Sequence, residues 1–86
     1  MNYKFSSHAE KELILRKIPR HLVDSVMQNP QQIIPACRGR KAYQSQLDFG
    51  DGRVFLLRAI MDDTFDPAVV VTFYRTKKIR KYWREK

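Results

Sequence analysis

"RVFLLRAIM" (residues 53–61) is the stretch on which the fold turns. It is an almost continuous apolar run, and it reads as a central strand of a sheet. A hairpin signal, "GDG" at 50–52, precedes it, and "DDTFDP" at 62–67 supplies the next turn. "AVVVTFYRT" (68–76) then reads as a second, β-branched central strand. Upstream, "KAYQSQLDF" (41–49) alternates weakly, with Tyr43, Leu47 and Phe49 on one side. Turns this short cannot carry βαβ crossovers, so the three strands are expected to be antiparallel hairpin partners.

Further towards the N-terminus the period changes. "NYKFS" (2–6) alternates Tyr3 and Phe5 and suggests a short first strand. Ser7 with Glu10 three residues on has the pattern of a capping box, and Ala9, Leu13 and Ile14 follow on one helical face. "IPRHLVDSVMQNP" reads as a second helix. Pro19 lies at its first turn, Leu22, Val23, Val26 and Met27 form an apolar stripe, and Asn29-Pro30 ends it. "QQIIPAC" (31–37) opens another extended segment, in which Pro35 marks an edge or a bend. The expected architecture is α+β: an antiparallel β-α-α-β-β-β sheet, two N-terminal helices on one face, and a short basic C-terminal element. Residues 1–86 form a single domain with a thin core.

Composition narrows the function. One cysteine, Cys37, and two separated histidines give no disulfide and no metal-ligand cluster, so neither metal nor cofactor is expected. Cys37 lies beside Arg38 and Arg40, but it has no paired base that would make it a nucleophile. No apolar run approaches the roughly 20 residues of a membrane span. "MNYKFSSHAEKE" lacks the hydrophobic centre of a signal peptide, so a cytoplasmic location is expected. The formal net charge is +8, and it is polarised. Residues 48–74 are net acidic, whereas 7 of the last 12 residues are Lys or Arg. Such a distribution favours a polyanion or an acidic protein as partner.

Four features carry candidate chemistry. Arg58 interrupts the apolar strand, on the face that also holds Val54, Leu56 and Ile60. A charge there needs a salt bridge to a neighbouring Asp, to Glu10 or to Glu12, or else it opens onto a cleft as a phosphate ligand. "YRTKK" (74–78) offers the Tyr74 phenol, the Arg75 guanidinium and the Thr76 hydroxyl where the last strand leaves the core, with Arg75 on the face opposite the other two. In the tail, a helix would place Ile79, Tyr82 and Trp83 on a docking face and Lys77, Lys81 and Arg84 on a basic one, flanked by Lys78 and Arg80. His8 falls in the first turn of helix one, where the helix dipole favours a neutral imidazole able to act as a base. Glu12 and Arg16 extend it into an i, i+4, i+8 ladder.

Two stretches also carry a family resemblance. "FSSHAEKELILRKIPRHLVDSVMQNP" (5–30) resembles the opening of small prokaryotic domains of uncharacterised function: a short strand, a His, and an Arg-x-Ile step into a second helix ending in Asn-Pro. "VVTFYRTKKIRKYW" (70–83) resembles their close, a strand running into Tyr-x-Thr, a basic stretch and a Tyr-Trp pair. Such domains look like relatives of the RelE/ParE toxin superfamily of toxin–antitoxin systems. The resemblance implies a toxin held by an antitoxin protein and a metal-independent endoribonuclease acting on messenger RNA, often on the ribosome. The RNA's own 2′-OH would attack the adjacent phosphate. In that role Arg58 and Arg75 would clamp the phosphate, Tyr74 or Tyr82 would orient it, Lys81 would stabilise the developing charge, and His8 would be the base. Arg16, Thr76, Lys77, Lys78, Arg80, Trp83 and Arg84 would bind the rest of the strand. The alternatives are a non-catalytic member of the fold that inhibits a protein such as gyrase, and a plain RNA-binding module.

Overall fold

The structure, a computed structural model, describes residues 3–85. Its elements are β1 (Tyr3–Phe5), α1 (Ser7–Leu15), α2 (Arg20–Gln28), β2 (Gln32–Pro35), a 3-10 turn (Cys37–Gly39), β3 (Lys41–Asp48), β4 (Val54–Asp62), β5 (Ala68–Thr76) and α3 (Ile79–Tyr82). The sheet has five strands in the order β1-β5-β4-β3-β2. The class is α+β, with β4 at the centre of the sheet.

Two expectations about the sheet are corrected. It is mixed rather than antiparallel, because β1 runs parallel to β5, pairing Tyr3 with Ala68 and Phe5 with Val70. Hairpin turns determine the relative direction of β3, β4 and β5, but no turn links β1 to β5, so its direction follows from the path through α1 and α2. The order β-α-α-β-β-β is also one strand short: the extended segment expected at 31–37 is a full edge strand, β2, paired antiparallel with β3 through Ile33 and Tyr43. Pro35 is its last residue, where a missing N–H costs little.

Helix boundaries follow local chemistry. Ser6, not Ser7, caps α1: its hydroxyl accepts the Ala9 N–H at 3.0 Å and donates to the Val71 carbonyl at 3.0 Å. One side chain thus starts the helix and ties it to β5. The far end of α1 closes on Lys17 at φ 52°. The Ile18 N–H bonds the Leu13 carbonyl at 3.1 Å and the Lys17 N–H bonds the Ile14 carbonyl at 3.2 Å, the reciprocal pair that stops a helix with one left-handed residue. Pro19 occupies the cap position just before α2 rather than its first turn.

Both long helices lie on one face of the sheet. The core there joins Ala9 of α1 and Leu22, Val23, Val26 and Met27 of α2 to Tyr43, Leu57, Ala59, Met61, Val70 and Phe73. Leu13 packs at its border, but Ile14 is 76% exposed, so the apolar face of α1 is only partly used. The register places Gln44, Arg58 and Tyr74 side by side across β3, β4 and β5 on the other face. No helix among the described residues is long and apolar enough to cross a membrane.

Candidate anion-binding site on the second face of the sheet

Arg58 is only 6% exposed. Its Nε donates to Gln44 Oε1 at 2.9 Å and its Nη1 to the Tyr74 hydroxyl at 2.5 Å. The Tyr82 ring lies over the guanidinium, 4.0 Å from its central carbon, and meets the Tyr74 ring edge-on at 6.4 Å. Among the described residues no carboxylate lies within 4.0 Å of Arg58. The salt bridge that burial would demand is therefore not made: Glu12 meets His8 and Arg16 on α1, and Glu10 also belongs to that helix. Among the described residues the positive charge is held by neutral acceptors and aromatic faces alone.

A second side chain organises the site. Gln44 is fully buried, and both polar atoms of its amide are hydrogen-bonded. Its Oε1 accepts from Arg58, while its Nε2 donates to Gln32 Oε1 at 2.8 Å and to the Tyr82 carbonyl at 3.1 Å. Gln32 in turn grips the chain after α3: its Oε1 accepts the Arg84 N–H at 3.1 Å and its Nε2 donates to the Arg84 carbonyl at 2.7 Å. Two glutamines on β2 and β3 thus hold the C-terminal segment across the sheet. Neither stands out in the sequence, because a Gln alternating with apolar neighbours has the pattern of a solvent-facing strand position.

Beside this network opens a pocket of about 570 Å³ walled by Ile34, Ile60, Arg40, Arg58, Lys81 and Tyr82, with the exposed Cys37 at its margin. Among the described residues no fully buried side-chain nitrogen or oxygen lacks a partner, and Arg58 itself forms part of the pocket wall. Lys81 Nζ stands 5.3 Å from the Tyr82 ring centroid. Arg40, noted in the sequence only for its place beside Cys37, is a further cation on the pocket wall, and it faces Asp62 at 3.7 Å. The Asp62 carboxyl is held below its ordinary range first by the Thr64 hydroxyl and backbone N–H, with Arg40 adding to the effect.

The two phenols diverge. A hydrogen bond from Tyr74 lowers the Tyr82 pKa, assisted by the charges of Lys81 and Arg58. Burial raises that of Tyr74, against the opposing pull of Arg58. Tyr82 is thus the more acidic phenol of the pair, and it lies on the pocket wall.

The expected site residues divide between the two faces. Arg58, Tyr74, Lys81 and Tyr82 come together. Arg75 does not join them: it is opposite Leu57 on the helix-bearing face, with its guanidinium 4.9 Å from the Phe49 ring and 4.7 Å from that of Phe55. His8 is also separated, since α1 packs on that same face and its imidazole lies 3.8 Å from Glu12. Arg16 shares that exposed ladder. Thr76 uses its hydroxyl to accept the Lys78 N–H at 3.0 Å, and Lys77 Nζ lies 5.6 Å from the Phe55 ring. The tail helix is only 4 residues long, so Trp83 follows it in extended backbone rather than extending an Ile79–Tyr82–Trp83 face. Lys78, Arg80 and Arg84 are exposed around it.

Among the described residues no three His, Cys, Asp or Glu side chains come together as a metal site. The assembled groups are those that grip an anion: a fixed guanidinium, a lysine, and a phenol whose proton is eased off. No protein-family model matches the chain, and no curated protein or solved structure is significantly similar to it.

Proposed function

We propose that this protein is a RelE-like toxin that acts on RNA, a metal-independent endoribonuclease whose site is the pocket walled by Arg58, Lys81 and Tyr82, with Tyr74 holding Arg58 in place. The observation that carries this reading is the buried Arg58 charge, which has no carboxylate partner among the described residues and opens onto a pocket with a second cation. A buried charge is normally paired. Here a phosphodiester oxygen supplies the missing partner, and Lys81 takes a second oxygen. The RNA 2′-OH attacks the adjacent phosphorus, its proton passing to the Tyr82 phenolate. The O2′–P bond forms, the P–O5′ bond breaks, the leaving O5′ takes a proton from water, and Tyr82 returns the proton it accepted to the resulting hydroxide. The products are a 2′,3′-cyclic phosphate and a free 5′-hydroxyl. Messenger RNA is the proposed substrate and an antitoxin protein the proposed neutralising partner, both on the strength of the family resemblance.

The test is incubation of the purified protein with RNA in EDTA, with the ends of the products analysed. Cleavage to cyclic phosphate ends that falls about 100-fold or more in Tyr82→Phe and Lys81→Ala supports the proposal. Growth arrest with intact RNA would transfer it to a protein target such as gyrase. One observation favours a second reading, RNA binding without cleavage: His8, the one imidazole proposed as base, belongs to a helix on the opposite face. Tight, salt-sensitive RNA binding with no cleavage at any pH would establish that reading instead.

A further inference from the structure

Arg75, set apart from the anion pocket, belongs to a second grouping on the helix-bearing face. Phe49 and Phe55 meet edge-on at 5.2 Å, and the Arg75 guanidinium lies 4.9 Å and 4.7 Å from the two ring centroids. Lys77 Nζ is 5.6 Å from the Phe55 ring. Both rings and Arg75 are half-buried, while Lys77 is exposed. Phe49 packs on the buried core only from its border. Arg53 lies in the hairpin between the two phenylalanines, its carbonyl accepting the Phe49 N–H at 2.9 Å. The Asp48 carboxylate of the same hairpin accepts the Gly50 N–H at 2.7 Å. Ion pairs among the described residues engage His8, Arg16, Arg20, Arg40 and Lys41, and none engages Arg53, Arg75, Lys77 or Lys78.

The chain itself links this grouping to the anion pocket. β5 ends at Thr76 and α3 begins at Ile79, so Lys77 and Lys78 bridge the Phe55 side of the sheet and the Arg58 side. Cations thus follow one another from Lys81 round the end of β5 to Arg75. A guanidinium supported by aromatic rings is a flat platform for a nucleobase, and it is ordered before the ligand arrives. A duplex keeps its bases stacked inside, and a carboxylate would use the charge but not the rings. We infer that the Phe49–Phe55–Arg75 grouping is a second binding site, which stacks a base of single-stranded RNA whose phosphates run past Lys77 and Lys78 to the anion pocket. The inference rests on the reading of that pocket as an RNA site. It makes the preferred ligand a single strand long enough to round the sheet end. The platform touches no reacting atom, so it sets affinity for long strands and leaves turnover at saturating RNA unchanged.

Fluorescence anisotropy with uncleavable 2′-O-methyl RNA tests this, using a trinucleotide and a single strand of about 12 nucleotides as probes. The trinucleotide fills the anion pocket, and only the longer strand also reaches Arg75. Arg75→Lys keeps the charge but loses the flat platform, and Phe55→Leu keeps an apolar side chain but loses the ring. Each should weaken binding of the longer strand about tenfold and leave that of the trinucleotide unchanged, which also shows that the variant is folded. Lys77→Ala should lower the salt slope of the longer strand by about 1. Lys81→Ala reports on the pocket separately, by weakening both probes. If Lys81→Ala has no effect while Arg75→Lys still discriminates by length, the pocket reading fails and the platform stands. Unchanged binding of the longer strand in Arg75→Lys and Phe55→Leu, or equal losses on both probes, would overturn the inference. So would duplex binding as tight as single-strand binding, full competition by polyglutamate, or no binding of the longer strand by the parent protein.

Discussion

Arg58 and Gln44 explain each other. The guanidinium needs neutral acceptors to stay in the sheet, and the buried amide needs donors and acceptors on every side. Gln44→Ala should therefore cost about 1–3 kcal/mol in chemical denaturation, because it strips the Arg58 Nε of its acceptor and the Tyr82 carbonyl of its donor. Arg75→Ala should behave differently. Its guanidinium covers Phe49 and Phe55, so stability should fall by about 0.5–1 kcal/mol while RNA cleavage stays near the parent rate. A spectrophotometric titration should show one phenol ionising below the ordinary tyrosine range, and Tyr82→Phe should remove that phase. A depressed folded-state pKa makes the ionised form the one that favours folding. Tyr82's contribution is thus present above the unfolded tyrosine value of 10.0 and is lost as pH falls through the folded pKa, so it adds nothing at neutral pH. If Tyr82 is the base, cleavage should instead rise with pH up to that same inflection.

Among the elements, α3 is the one held least by its own sequence. A helix of 4 residues cannot stand alone, and the Gln32 and Gln44 amides fasten the segment to the sheet. Gln32→Ala should accelerate hydrogen exchange at Arg84 and its neighbours about tenfold, from the loss of about 1–1.5 kcal/mol of hydrogen bonding, while β4 amides stay protected. Equal exchange in mutant and parent would show that ring packing alone holds α3. At the other end of the chain, α1 stops on Lys17 in the left-handed region. Lys17→Gly should stabilise the protein by about 1 kcal/mol, seen as a higher midpoint in thermal unfolding, since glycine takes that conformation without a Cβ clash.

For the domain taken together, β4 is the central beam. Leu57 is fully buried between α2 and the neighbouring strands, and Leu57→Ala should cost about 2–5 kcal/mol, enough to unfold much of so small a domain. That strand was legible from its apolar run and its flanking turns, as were α2 from its apolar stripe and the β3–β4–β5 meander from its short connections. The anomaly of Arg58, and the separation of Arg75 from Tyr74 and Thr76, followed from period-two alternation. The direction of β1 was not legible, because no local turn encodes a pairing between the first strand and the last. Neither was the grouping of Gln32, Gln44 and Arg40 with the tail, because each is locally an ordinary polar residue that gains meaning only from a neighbour distant in sequence. The placement of His8 away from Arg58 likewise depends on which face α1 covers. Hydrophobic period, turn length and charge balance are local properties of the chain, so they could be read before folding. Which charges meet across the sheet, and which remain without a counter-ion, depends on long-range packing and on burial, and burial exists only once the chain has closed on itself.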